Sequence, residues 1–187
     1  MAVEPSRCTL VTGPASSGKS QWAEVLAQRS GHRVRYLATG PQLPHDSAWQ
    51  KRLQRHRQRR PACWTSHEVG FALSEAISAC QQDELALVDS LGTWVAAGLQ
   101  LEGLAWETAC SELIGALHQA TAPVILVGEE AGWGVVPATR SGGLFRERLG
   151  SLLQQTMACC DAAWLVLHGR AIDLLAISVA VPRVEPD

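Results

Sequence analysis

The chain has 187 residues, of which 47% are hydrophobic and 18% charged, a composition that excludes an intrinsically disordered chain. Its net charge of −2 conceals an uneven distribution. Residues 1–60 carry eleven Lys and Arg against three acids, whereas residues 61–139 carry ten acids and neither Lys nor Arg. Six of the sixteen basic residues lie in positions 51–60. This pattern excludes a uniformly basic nucleic-acid coat protein and indicates a local anion site.

No apolar run approaches the roughly 18 residues that a membrane-spanning helix needs. The first ten residues, MAVEPSRCTL, lack the charged and then apolar layout of a signal peptide, so we expect a cytoplasmic protein without a membrane span. The six cysteines show no CxxC spacing, which argues against a zinc site or a disulfide framework.

Strands and helices alternate in the predicted order of elements. Strands are predicted at 8–13, 33–40, 83–91, 123–130 and 162–169, with another strand at 174–181. Helices are predicted at 18–30, 45–60, 70–82, between 91 and 119, and at 142–158. The strand segments are apolar runs without strict alternation, which is typical of strands buried on both faces of a mostly parallel sheet. No linker or repeat interrupts the chain, so we expect one domain over residues 1–187.

A glycine-rich segment, GPASSGKS, lies between the first predicted strand and the first predicted helix and matches the GxxxxGK[ST] phosphate-binding motif. Glycines allow the backbone N–H groups to turn towards phosphate oxygens, and the helix N-terminus adds partial positive charge. Lys19 is expected to reach the β- and γ-phosphates, and the Ser20 hydroxyl to ligate Mg²⁺. The predicted nucleotide-binding residues of this loop are Gly13, Pro14, Ala15, Ser16, Ser17, Gly18, Lys19 and Ser20.

The motif and the strand order together predict an α/β fold of the P-loop NTPase type, a three-layer sandwich around a mostly parallel sheet. Asp89 ends the strand LALVD and is the acid expected to contact nucleotide or Mg²⁺. Its alternative role is a helix cap in a turn. The chain is short and lacks a guanine-reading NKxD motif, which favours a small kinase or nucleotidyltransferase over a GTPase switch.

The basic segment RLQRHRQRRPACWTSHE at 52–68 has three interpretations. It could be a solvated helix face, with His56 as one more exposed residue. It could bind nucleic acid, but the acidic middle of the chain argues against that. The third interpretation comes from a resemblance carried by five segments in order: GPASSGKS, YLAT at 36–39, RLxxH…RPxxW…E at 52–68, LVDSLGTWV at 87–95 and EEAGWGVVP at 129–137.

These motifs resemble the bifunctional adenosylcobinamide kinase / adenosylcobinamide-phosphate guanylyltransferase family of cobalamin biosynthesis. The resemblance implies a P-loop domain assembled as a homotrimer. It further implies that ATP or GTP phosphorylates the aminopropanol hydroxyl of adenosylcobinamide, and that GMP from GTP then passes to that phosphate through a guanylyl-histidine, giving adenosylcobinamide-GDP. The expected substrates are therefore GTP, ATP, adenosylcobinamide and its phosphate, with Mg²⁺ as cofactor and no nucleic acid.

By the same resemblance, His56 is the guanylylated residue and, with Lys19, a catalytic residue. A neutral imidazole is a competent nucleophile towards the α-phosphorus, and the surrounding arginines would neutralise charge on the transferring group. The further nucleotide-binding residues implied are Ala38, Thr39, Gly40, Arg57, Gln58, Arg59, Arg60, Glu68 and Asp89, with Ser20 and Asp89 also as Mg²⁺ ligands.

The chain departs from the family at Glu129, where the family usually has Asn before a kept Glu130. This second carboxylate is a candidate for altered substrate or metal contacts. Trp133 lies in the following glycine-rich loop and is a candidate for stacking on a ligand, although a buried core role is the commoner one for Trp. Two other functions stay open from the sequence: a P-loop kinase of another small metabolite, and a nucleotide-dependent switch protein.

Overall fold

The computed structural model describes residues 6–182, apart from the side chain of Arg52; the ends of the predicted 1–187 domain lie outside the described residues. Within this range, the strands are β1 Cys8–Gly13, β2 Arg33–Ala38, β3 Thr65–Glu68, β4 Glu84–Asp89, β5 Val124–Glu129, β6 Ala162–Leu167 and β7 Arg170–Asp173. The helices are α1 Lys19–Arg29, α2 Ser47–Arg59, α3 Leu73–Ser78, α4 Leu91–Ala97, α5 Gly103–Gln119, α6 Arg140–Met157 and α7 Leu174–Ile177.

In the described part of the chain, seven strands form one sheet in the order β3-β2-β4-β5-β1-β6-β7. All neighbouring strands run parallel except β6 and β7, which are antiparallel. The predicted mostly parallel sheet is therefore confirmed. Strand β5 separates β1 from β4, so the carboxyl ends of these three strands meet along one edge of the sheet, where ligands bind in open α/β sheets.

Both faces of the sheet are buried, and this makes three layers. On one face, Ala23 and Ala27 of α1 pack against a core that includes Val11. On the other face, α3, α4, α5 and α6 cover a larger core that includes Leu10 and the fully buried Trp94. Successive strand residues thus enter different cores, which is why the strands show no polar alternation.

The end of the chain differs from its prediction, because 174–181 does not form a strand. The chain turns at His168 and Gly169, with φ of 49° and 76°, and β7 returns along β6. Two positive φ values in a two-residue turn suit a tight hairpin. The Asp173 side chain then accepts a hydrogen bond from the backbone N–H of Ala176 at 3.2 Å. This cap starts the short helix α7, so the apolar run after it is helical at first and irregular afterwards.

Strand β3 was not predicted from the sequence. Its residues, TSHE, are polar and all exposed, since β3 is an edge strand that pairs only with β2. It therefore carries no apolar signal.

No helix within residues 6–182 has the length and apolarity to cross a membrane.

The side chain of Arg148 in α6 holds the end of α4. It donates to the carbonyl oxygens of Gly98 at 3.0 Å, Leu99 at 3.4 Å and Leu101 at 2.6 Å. Its guanidinium carbon also lies 4.5 Å from the centre of the Trp106 ring. Carbonyl groups at the end of a helix and just after it lack partners inside the helix. Arg148 provides hydrogen-bond donors to three of them. This side chain therefore serves the fold.

We expect Arg148→Met to lower the free energy of unfolding by about 1.5–3 kcal/mol, because partly buried carbonyls lose a charged donor. Urea denaturation would measure the change. The matched variant Arg140→Met, at the exposed start of the same helix, is expected to shift stability by less than about 0.5 kcal/mol. Equal effects of the two substitutions would contradict the bridging role of Arg148.

Candidate active site

The segment Gly13 to Ser20 forms the loop between β1 and α1, as the motif predicted. Gly13 has φ of 154°, and a Cβ there would lie 2.3 Å from the backbone oxygen of Val166. Gly18, immediately before α1, has φ of 100°. Residues with a side chain rarely adopt such backbone conformations, so the path of the backbone requires glycine at both positions. The close approach at Gly13 places the loop directly against β6.

Two further contacts give the loop its shape. The carbonyl oxygen of Ser17 accepts from the Gly169 N–H at 2.9 Å, which ties the loop to the β6–β7 turn. The Lys19 ammonium group is buried and donates to the carbonyl oxygen of Pro14 at 3.2 Å. Ser20 follows in the first turn of α1. The loop therefore surrounds a buried cation at a helix N-terminus, an arrangement suited to anions.

His56 lies near the end of α2, where its Nδ1 is 3.2 Å from Oδ2 of Asp89 at the end of β4. Tyr36 in β2 also donates its hydroxyl hydrogen bond to Oδ2 of Asp89. The side chains of His56 and Asp89 are only 18% and 14% exposed. His56 is thus held against the strand ends and is not one more exposed residue on a solvated helix. A neutral ring that donates Nδ1–H to Asp89 carries its lone pair on Nε2.

The pKa shifts in this cluster agree with its geometry. Burial opposes the charge on Asp89, but hydrogen bonds from His56 and Tyr36, with the electrostatic attraction of His56 and Arg60, hold the pKa of Asp89 below its ordinary value. Burial and the neighbouring Asp89 charge raise the pKa of Tyr36 well above its ordinary value. Tyr36 therefore stays a phenol donor, and Asp89 an acceptor.

The arginines after His56 have acidic or aromatic partners. Arg57 donates to Glu68 at the end of β3, at 3.0 Å. Arg59 donates to both carboxylate oxygens of Glu24 in α1, at 3.1 and 3.0 Å. The pair formed by Arg59 and Glu24 joins α2 to the helix that begins at the glycine-rich loop. The basic segment is therefore built into the fold and is more than a solvated face.

Arg60 completes this side of the cluster. Its guanidinium carbon lies 3.4 Å from the centre of the Tyr36 ring, and it also donates to the Ser66 hydroxyl at 3.2 Å. Such a cation over an aromatic face fixes both groups. Gln58, in contrast, is exposed on α2.

The segment Ala38 to Gly40 follows β2 at the same edge. Thr39 is buried; its hydroxyl lies 2.6 Å from that of Thr93, and it accepts from the Ser90 N–H at 2.9 Å. Its side chain therefore connects β2 to the start of α4. A Cβ on Gly40 would lie 2.9 Å from the Trp49 ring, so a larger residue there would displace the beginning of α2.

The adjacent acids at the end of β5 have different partners. Glu129 accepts from the Gly92 N–H at 2.8 Å and from the Ser90 hydroxyl, so both its oxygens support the start of α4. Glu130 accepts from the Thr12 hydroxyl at 3.0 Å, and its N–H donates to the carbonyl oxygen of Gly13 at 3.0 Å. The unusual Glu129 is engaged within the fold, whereas Glu130 adjoins the glycine-rich loop.

Tyr36 and Glu24 are site residues that sequence reasoning did not assign. Tyr36 is the sole tyrosine of the chain and lies within the YLAT segment, but the pattern could not show that its hydroxyl reaches Asp89. Glu24 has no motif of its own, and only the packing of α2 against α1 reveals its role.

The donors available for Mg²⁺ are the Ser20 hydroxyl and the Asp89 carboxylate, together with the oxygens of a bound phosphate. This set fits Mg²⁺, which prefers oxygen ligands and uses few protein carboxylates. Among residues 6–182, no group of three or more His, Cys, Asp or Glu is arranged to hold a metal ion.

A glycine-rich loop between a parallel strand and a helix, with a buried lysine at the helix N-terminus, defines a P-loop protein. The family model described as cobinamide kinase / cobinamide phosphate guanyltransferase, CobU, matches residues 9–174. The chain belongs to this family, whose description combines a kinase with a guanylyltransferase.

Named relatives agree with this membership. The chain is 34% identical over 180 residues to the bifunctional adenosylcobalamin biosynthesis protein CobU of Salmonella typhimurium, covering 88% of this chain and 98% of that protein. It is 32% identical over 172 residues to the bifunctional adenosylcobalamin biosynthesis protein CobP of Pseudomonas aeruginosa, covering 88% and 95%. Among solved structures, a protein of Pyrococcus horikoshii OT3 shares the fold with a TM-score of 0.54 at 8% identity, over 92% of this chain and 87% of that one.

We expect Tyr36→Phe to destabilise the protein by about 1–3 kcal/mol at pH 7, because a buried carboxylate loses a donor. The stabilisation that depends on ionised Asp89 is present above the unfolded pKa of about 3.9 and is lost as the pH falls through the lower native pKa. The penalty should therefore shrink towards pH 3. Urea denaturation from pH 7 to pH 3 measures it, and a penalty independent of pH would contradict the link to Asp89.

Proposed function

We propose that this chain phosphorylates adenosylcobinamide with ATP or GTP, and then transfers GMP from GTP to that phosphate to give adenosylcobinamide-GDP in cobalamin biosynthesis. The observation that carries the proposal is the contact between His56 and Asp89. This contact lies at the same edge of the sheet as the end of β1, where the P-loop begins. Family membership supports both half-reactions. By the same resemblance we propose a homotrimer in the cytoplasm.

In the kinase half, the P-loop holds the triphosphate. Backbone N–H groups between Gly13 and Ser20 face the phosphate oxygens, and the Lys19 ammonium leaves the Pro14 carbonyl to contact the β- and γ-phosphates. Ser20 and Asp89 are the residues that would hold Mg²⁺, and the bound ion would supply positive charge opposite the transferred phosphoryl group. Lys19 offsets the same charge from the other side of the loop.

In the transferase half, His56 Nε2 attacks the α-phosphorus of GTP. The Nε2–P bond forms as the bond to the β-phosphate oxygen breaks, and pyrophosphate leaves. Positive charge develops on the ring during this step, and the Asp89 carboxylate at Nδ1 faces that charge. A phosphate oxygen of adenosylcobinamide phosphate then attacks the same phosphorus, and the bond to Nε2 breaks to regenerate neutral His56.

The arginines and neighbouring loop residues complete the proposed nucleotide site. Arg57, Arg59 and Arg60 lie within one turn of His56 and supply cationic charge around the transferred phosphate. The other proposed nucleotide contacts are Ala38, Thr39, Gly40, Gln58 and Glu68. Thr39 would act through its backbone, because its hydroxyl is engaged with Ser90 and Thr93.

Incubation with α-³²P-GTP and Mg²⁺ should give protein-bound label that is labile to acid and stable to alkali. We expect His56→Ala to abolish this label, because the nucleophile is gone, while phosphorylation of cobinamide by γ-³²P-ATP persists. The control His67→Ala, at an exposed position in β3, should keep the label. Label that persists in His56→Ala would remove the transferase proposal.

Lys19→Ala should lower the kinase rate on the order of 10²-fold or more.

We expect Asp89→Asn to slow labelling of His56 on the order of 10²-fold or more, because an amide can impose the wrong tautomer on a histidine it orients. The ¹⁵N chemical shifts of the His56 ring would report the tautomer directly. Since Asp89 is also a proposed Mg²⁺ ligand, the labelling rate is measured over a Mg²⁺ titration. A defect that saturating Mg²⁺ removes would assign Asp89 to the metal and not to His56.

A further inference from the structure

Glu130, the acid next to the P-loop, has one carboxylate oxygen to which the reactions above assign no role. Glu130 is anchored by two bonds to β1, from the Thr12 hydroxyl to Oε1 and from its own N–H to the Gly13 carbonyl oxygen, both at 3.0 Å. Since Gly13 begins the phosphate-binding loop, this carboxylate is held beside the loop. Glu129 differs, because both its oxygens are bound at the start of α4. Among the contacts of residues 6–182, Oε2 of Glu130 therefore accepts no hydrogen bond, whereas both oxygens of Glu129 do.

Glu130 also lines a cavity of about 220 Å³ between the end of β5 and α6. Glu129, Gly132, Glu147 and Leu149 form part of its wall, and Arg146 adds a cation beside these acids. Sites that enclose drug-sized ligands measure roughly 300–1,000 Å³. This cavity is smaller, so it suits a short chain and excludes a large ring system.

The loop that leaves the cavity exposes apolar side chains. Trp133 is 61% exposed, Val135 95% and Val136 74%. A Cβ on Gly132 or Gly134 would meet no atom within 4 Å, so the loop surface is open on both sides of Trp133. Adjacent exposed apolar residues mark binding surfaces more often than scattered ones do. The loop is continuous with the cavity wall through Ala131 and Gly132.

We propose that this cavity and loop form the corrinoid subsite of the kinase reaction. The hydroxyl-bearing arm of cobinamide enters the cavity, Glu130 is the general base for that hydroxyl, and Trp133, Val135 and Val136 contact the apolar face of the macrocycle. The inference rests on the proposed function. A small cavity whose wall includes Glu130, the acid bonded to the strand that leads into the P-loop, lies next to an exposed apolar loop. This pairing matches a substrate that has a short hydroxyl arm on a large ring.

The hydroxyl oxygen attacks the γ-phosphorus, the bond between that phosphorus and the β,γ-bridging oxygen breaks, and the nucleoside diphosphate leaves. The hydroxyl proton passes to Oε2 of Glu130, which later releases it to water.

Kinase and transferase activities can be measured separately, because labelling of His56 by α-³²P-GTP needs no corrinoid. For Glu130→Gln we expect kcat for cobinamide phosphorylation to fall on the order of 10²-fold. The acid limb of its pH profile should flatten, while labelling of His56 changes less than about threefold. Glu130→Asp should recover part of the rate and the acid limb. The control Glu112→Gln, at an exposed position of α5 outside the cavity wall, should leave kcat within about threefold.

Trp133→Ser should raise the KM for cobinamide about tenfold or more with kcat nearly unchanged, because the loop contributes to binding only. An unchanged KM for cobinamide would overturn the loop assignment. If Trp133→Ser then also changes the oligomeric state on sedimentation, the loop would belong to a subunit interface instead. A Glu130→Gln enzyme with wild-type kcat and pH profile would overturn the base. Wild-type protein that phosphorylates no cobinamide would instead refute the proposed function itself.

Discussion

The arrangement of the site depends on the contacts that the Asp89 carboxylate makes. Asp89 ends β4, accepts from Tyr36 on the neighbouring strand and meets His56 from α2. A largely buried carboxylate is costly unless it has donors, so the three side chains stabilise one another. The contact with His56 also bears on the proposed role of the ring, because a neutral imidazole that donates an Nδ1–H hydrogen bond to Asp89 has its lone pair on Nε2.

The sheet order brings the P-loop and Asp89 to one edge. Strand β5 lies between β1, which leads into the P-loop, and β4, which carries Asp89. The two acids at and just after the end of β5 therefore lie between these two features and have different neighbours. Glu129 supports α4 on the β4 side, and Glu130 contacts Thr12 on the β1 side. The Arg59–Glu24 pair then joins the helix of His56 to the helix of the P-loop.

Much of the fold could be predicted because its signals are local. Apolar runs predicted the parallel strands, and the glycine-rich motif placed the loop between β1 and α1. The errors occurred where local signals were weak or ambiguous. β3 is polar because it lies at an exposed edge, and the apolar run after Asp173 forms α7 because a side-chain cap and a tight hairpin decide its conformation.

The sequence by itself determined the phosphate-binding loop, the sheet class and the presence of a histidine among arginines, since each depends on residues close together in the chain. Only the tertiary structure decided what those residues contact. Tyr36, His56 and Asp89 are far apart in sequence and meet only through strand pairing and the packing of α2. The same holds for charge: Arg57 and Arg59 lie apart in sequence from Glu68 and Glu24, and only the packing of α2 against β3 and α1 brings these pairs together.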